Sequence, residues 1–189
     1  LSDKIKSLSN KWIENLPHID KNKDSKILVE KYRKYENLLD CQWFLSNEIP
    51  NWYNQIKFLS GDNFDYLNNS AIVFYKNLVT IINSIDNRLE FRGRDSLGIS
   101  IQLFTNNFNN NDYINISSND NCESFFFEKF NNFNVFSFLF KTANPIGSLG
   151  DNAAKLKVLI KNNKLLNQII LNNSIIFGSI VIHTRWASV

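Results

Sequence analysis

The chain has 189 residues, 43% of them hydrophobic and 21% charged, with a net charge of +3. That length holds one domain, or one domain with a helical appendage, and the apolar share is enough to bury a core. No apolar run approaches the roughly 20 residues a membrane-spanning helix needs, and lysines are scattered instead of massed, so membrane and nucleic-acid partners are both set aside.

Residues 1–70 read as helical. Ile5, Leu8, Trp12, Ile13 and Leu16 recur at helical spacing after a Ser2 cap, and Pro17 ends the pattern. A polar linker, Asp20 to Ser25, leads into a second amphipathic pattern through Ile27, Leu28, Tyr32, Tyr35, Leu38 and Leu39, reaching toward Trp43 before Pro50 breaks it. Its aromatic stripe is assigned to core packing over base stacking. From Ala71 to Leu89 a longer helix is predicted on Ile72, Val73, Leu78, Ile81, Ile82, Ile85 and Leu89.

Past Gly93 the period changes. Gly98 to Phe104 alternates as a strand does, Asn106 to Asp112 is a polar turn, and Tyr113 to Ile116 is a return strand completing a hairpin. In the phenylalanine-rich stretch Phe125 to Phe140, Val135 to Phe140 reads as a buried strand. Gly147 to Asn152 is a turn in which Asp151 or Asn152 caps a helix from near Ala153; a phosphate cradle is the sharper alternative, but no GxxxxGK[ST] pattern supports it. Helical patterning then runs from Leu156 to Leu171. Ile175 to Ile182 is a nearly continuous apolar run, expected to be a central strand that delivers His183 to its end. The order of elements makes the fold class α+β.

Two segments carry candidate chemistry: Leu89 to Ile99, which holds Arg92-Gly93-Arg94-Asp95-Ser96, and His183-Thr184-Arg185-Trp186-Ala187-Ser188. A guanidinium at the carboxyl end of a strand, between Thr184 and Trp186, suits two parallel hydrogen bonds to a carboxylate. An amino-acid substrate would offer one. From the residues alone, Arg185 reads more readily as half of a structural ion pair with Trp186 in the core, and Gly93 as a left-handed helix cap among cations that the helix dipole favours. Cys41 and Cys122 stand far apart with no CxxC, and His18 and His183 have no metal-ligand spacing, so neither a disulfide framework nor a zinc site is indicated and a cytoplasmic location is the default.

The first segment resembles the LEYRGYDSAG motif, and the second the HTRWATHG motif, of the glutaminase domain in glutamine–fructose-6-phosphate aminotransferases. The resemblance spans roughly Ala71 to Val189 and includes the elements between the motifs. It implies a partial N-terminal-nucleophile fold, a layered α/β/β/α sandwich, with residues 1–70 as a helical insertion or extension and residues 71–189 as the first half of the glutaminase domain. Glutamine and, through an isomerase domain not in this chain, fructose 6-phosphate are the implied substrates. No cofactor or metal is implied, and the full-length protein is expected to be a homodimer. Carried over by position, Arg185 would hold the glutamine carboxylate, Trp186 and Ser188 would belong to the loop that closes over substrate, and Arg92 and Thr184 would support the active site. Ser188 stands where the family has Thr and keeps the hydroxyl. Val189 stands where many members have His, which alters the loop's polar contacts.

The family's nucleophile is an N-terminal cysteine whose own amine is the general base. Here Cys41 lies in Asp40-Cys41-Gln42 and Cys122 in Asn121-Cys122-Glu123, and neither matches that position. Leu1 in place of Met, and Val189 directly after the second motif, give the expectation that both ends are cut and that the fragment alone does not hydrolyse glutamine. The competing expectation is a non-catalytic binding module that retains the fold.

Overall fold

The computed structural model describes Ser7, Lys11 and residues 25–85, 95–106, 124–130, 133–143, 148–172 and 175–185. Apart from Ser7 and Lys11, the helix expected over Ile5 to Leu16 lies outside these residues, as does the return strand at Tyr113 to Ile116. The chain divides into two compact units, 1–54 and 55–189.

In the first unit, α1 (Ser25–Trp43) runs into a π-helical turn, Phe44–Glu48, and then into the start of α2 (Ile49–Ser60). Pro50 was expected to break the helix, and instead it sits in the first turn of α2. Proline has no N–H to give the carbonyl four residues back, and the chain accommodates this by widening: the Ile49 N–H reaches the Phe44 carbonyl, and Asn47 Nδ2 donates to Trp43 O at 3.0 Å. Phe44 and Trp52 pack edge to face at 5.3 Å. The stripe on α1 assigned to a core is corrected here, because Tyr32, Leu39 and Trp43 are exposed and Tyr35 and Leu38 only half-buried. Helical spacing makes a face; it does not supply the surface that buries it.

The second unit is α+β. It contains the end of α2, a 3-10 turn at Gly61–Tyr66, α3 (Asn69–Ser84), β1 (Ser96–Thr105), β2 (Ser124–Phe130), β3 (Phe133–Ala143), α4 (Asp151–Asn162), α5 (Lys164–Asn172) and β4 (Ile175–Arg185). The four strands form one antiparallel sheet in the order β2-β3-β1-β4. β1 is flanked along its length by β3 and β4, so it does not form the local hairpin expected from the sequence. The hairpin is instead β2–β3, with Phe130 opposite Phe133. Among the described residues β4, expected to be a central strand, pairs with β1 alone.

Strand alternation sorts the side chains onto two faces. On one face, Leu97, Ile99, Ile101 and Leu103 of β1 lie beside Phe136, Phe138 and Phe140 of β3, all buried. Phe125 and Phe127 of β2 extend this layer, their rings tilted against Phe138 and Phe136 at 4.9 and 5.0 Å. α3 and α4 cover this face with Phe74, Leu78, Ile82, Leu156 and Ile160, and α5 adds Leu165, Leu166, Ile169 and Ile170 to the same core. At Gly178 α3 approaches β4 closely: a Cβ there would stand 3.0 Å from the Phe74 ring. Helix starts are fixed by side chains. Asn68 Oδ1 accepts the Ala71 N–H at 2.9 Å, and Asn163 Oδ1 accepts the Leu166 N–H at 2.7 Å. At α4 the cap is Gly150, with φ of 93°, and not Asp151 or Asn152; the Asp151 carboxylate reaches back to the Ser148 N–H at 2.8 Å.

The other face of the sheet carries no helix among the described residues. Phe104, Phe133 and Phe177 cluster on it, with ring centroids 5.8 and 5.3 Å from Phe104, and Phe126, Phe130, Phe177 and Val181 are exposed there.

Candidate functional site

The two motif segments, far apart in sequence, end side by side. β1 begins at Ser96 and β4 finishes at Arg185, and antiparallel pairing sets Ser96 opposite Arg185, Leu97 opposite Thr184 and Gly98 opposite His183. The Asp95 N–H extends the ladder by donating to the Arg185 carbonyl at 3.2 Å. Across β1, Gly98 also faces Lys141 of β3.

Alternation places Ser96, Gly98, Lys141, His183 and Arg185 on the helix-free face. Lys141, His183 and Arg185 are exposed, while Ser96 is half-buried and Gly98 buried. Gly98 is a requirement of this geometry. The His183 imidazole lies directly over it, and a Cβ at Gly98 would stand 2.5 Å from His183 Cε1 and 3.1 Å from Nδ1. The missing side chain lets the ring lie against the strand between Lys141 and the Arg185 end of the sheet. This face is therefore graded, with phenylalanines around Phe104 at one end and lysine, histidine and arginine at the other. Such an end suits an anionic group, and a guanidinium there presents donors in the fork that matches a carboxylate.

Of the residues predicted from sequence, Arg185 and Thr184 are described; Arg92, Trp186 and Ser188 lie outside the described residues. Thr184 pairs with buried Leu97 on the helix-covered face, so its side chain does not share the surface that Arg185 occupies. Arg185 itself stands at the end of a strand that, among the described residues, is paired on one side. His183 and Lys141 were not singled out as site residues. His183 was legible only as part of its motif, and Lys141 only through a pairing register that no local pattern encodes.

Cys41 is exposed in the first unit, and the described residues of the second unit include no cysteine. Among the described residues no group of three His, Cys, Asp or Glu side chains could hold a metal ion, and no helix is long and apolar enough to cross a membrane. Two grooves flank the sheet on its helix side. One, of about 550 Å³, runs between α3 and β4 past Val73, Asn77, Gly178 and Ile180. The other, of about 520 Å³, lies between the end of β3 and α4, with Thr142, Lys155 and Val158 on its walls. No family model matches the chain, and neither does any curated protein or solved structure.

Proposed function

We propose that this chain is part of a glutamine amidotransferase, a class II glutaminase domain that releases ammonia from glutamine for the conversion of fructose 6-phosphate to glucosamine 6-phosphate. The observation that carries the reading is the pairing of Ser96 with Arg185, which joins the ends of the two motif-like segments at one end of one sheet. In this reading the Arg185 guanidinium takes the glutamine α-carboxylate by paired charge-assisted hydrogen bonds, and Arg92, Trp186 and Ser188 complete and close the site. A sheet covered by helices on one side and apolar on the other supports half of an N-terminal-nucleophile sandwich, in which a second sheet would lie on the phenylalanine cluster. The sulfur nucleophile and its α-amine would come from sequence beyond this chain, so the chain alone binds part of the substrate without cleaving it.

The helical residues 1–70 and Val189 in place of the family's His favour one alternative, a non-catalytic module that keeps the carboxylate-binding end of the sheet. The discriminating experiment is a glutaminase assay on the protein from the complete reading frame. Glutamine-dependent ammonia release is expected there and not from this chain, with Arg185→Ala lowering kcat/KM by about 100-fold, which is the loss of roughly 3 kcal/mol of charge-assisted hydrogen bonding. A complete protein without glutaminase activity would leave the binding module as the reading.

A further inference from the structure

The imidazole of His183 takes up the room that a side chain at position 98 would need. Its Cε1 is 2.5 Å from where a Gly98 Cβ would be, and Nδ1 and Nε2 are 3.1 and 3.2 Å from the same point. With Cε1 nearest and the two nitrogens about equally far, the ring lies on the strand and its nitrogens are directed along the face of the sheet. Lys141 is the partner of Gly98 on the other side of β1. Residues directly opposite carry Cβ atoms about 5 Å apart, so the lysine stem and the imidazole edge are neighbours above β1. Arg185 is two positions along β4 from His183, roughly 6.5–7 Å away on the same face. Three side chains with N–H donors thus share one corner of the sheet, and any residue larger than glycine at position 98 would turn the imidazole away from the other two.

We propose that His183 is a ligand-binding residue of this corner: a ring N–H, aimed by the contact with Gly98, donates to the same anionic group that the Arg185 guanidinium takes, and Lys141 adds its charge from across β1. The ligand class is an oxyanion, a carboxylate or a phosphate, because each offers several acceptor oxygens to donors that converge from different directions. An imidazole carries at least one N–H in either protonation state, so the contact does not depend on its charge. Gly98 is on this account a positioning residue that acts through His183. The inference rests on the reading of Arg185 as the carboxylate-binding residue, and it adds what holds the remaining oxygen of the anion.

The test is titration of the 189-residue chain at constant pH with L-glutamine and, separately, with inorganic phosphate, followed by proton NMR. A His18→Gln background leaves His183 as the one imidazole. Its Hε1 should show a nuclear Overhauser contact to the Gly98 Hα atoms and should shift as a probe saturates the site. Arg185→Ala and His183→Ala should each weaken binding, the histidine change by about tenfold, as for one hydrogen bond to a charged group. His183→Gln, which keeps an N–H donor, should recover part of that loss. Gly98→Ala should match His183→Ala, and the two together should be no weaker than either alone. If Gly98→Ala does not fold by itself, adding His183→Ala should restore the fold. Binding indifferent to His183→Ala overturns the proposal, and it leaves the Arg185 reading in place where Arg185→Ala still abolishes glutamine binding. Losses that add in the double variant overturn it as well, as does binding of neither probe. Phosphate binding that depends on His183 and Gly98 in this way, without glutamine binding, supports the His183 site and removes the amino-acid reading.

Discussion

The Tyr75 hydroxyl is buried between the helices of the second unit. It donates to Asn167 Oδ1 at 2.6 Å, and Asn167 Nδ2 donates in turn to the Lys161 carbonyl at 2.8 Å, so one chain of hydrogen bonds links α3, α5 and the end of α4. Burial pushes the hydroxyl's pKa up from its ordinary value, because the phenolate would lose its water. Tyr75→Phe should cost about 1–2 kcal/mol at neutral pH, since it leaves the Asn167 oxygen buried without its donor. The pH dependence has a definite sign. A folded-state pKa above the unfolded value stabilises fully below about pH 10, and this contribution is lost as pH rises beyond it. The gap between wild type and Tyr75→Phe should therefore narrow above pH 10, by up to about 1.4 kcal/mol per pH unit. Urea titrations of both proteins at neutral and alkaline pH check this; a gap that widens with pH would refute the assignment.

At the scale of elements, the N-terminus of α3 holds β4 in place. Asn68 Oδ1 accepts both the Ala71 N–H and the Ser70 hydroxyl, at 2.9 and 2.7 Å, and Ser70 Oγ accepts the Ile175 N–H at 3.2 Å. A helix cap is thus coupled to the first residue of a strand a hundred positions later. Asn68→Ala should cost about 1 kcal/mol as a lost cap, and hydrogen exchange should quicken at both Ala71 and Ile175. If only Ala71 responds, the cap and the strand are independent. These elements also mark where the sequence was readable. α3, β1, β3 and α4 were each legible, because a period of 3.6 or 2 is a local property of the chain. The position of β4 was not. A run such as Ile175 to Ile182 looks the same whether it is enclosed by two neighbours or left as an apolar edge, and only the non-local pairings decide. The phenylalanine stretch misled for a related reason: with phenylalanines on both faces, Phe125 to Phe130 shows no alternation.

For the whole molecule, the candidate site shows the same division between local and non-local information. Arg185 was legible from its motif. Its adjacency to Ser96, and the imidazole laid over Gly98, follow from the strand order alone. The limits of the folding unit are likewise a non-local matter. The sequence suggests a change of character near residue 70, whereas the compact unit begins at Gln55, inside α2. The residues between are not a linker, since Ile56 and Leu59 are 5% and 1% exposed, and Lys161 of α4 lies 4.5 Å above the Phe58 ring. Two truncations separate the boundaries. A chain of residues 55–189 keeps both buried side chains and should melt in one cooperative transition with the midpoint of the intact second unit. A chain of residues 71–189 loses them, and at about 1.5–3 kcal/mol for each buried aliphatic side chain it should be less stable by about 3–6 kcal/mol. That is a large part of the stability of a domain this size, so the shorter chain should melt far earlier or fail to fold. Equal melting of the two would place the boundary at residue 70 and make the burial of Ile56 and Leu59 incidental to the core.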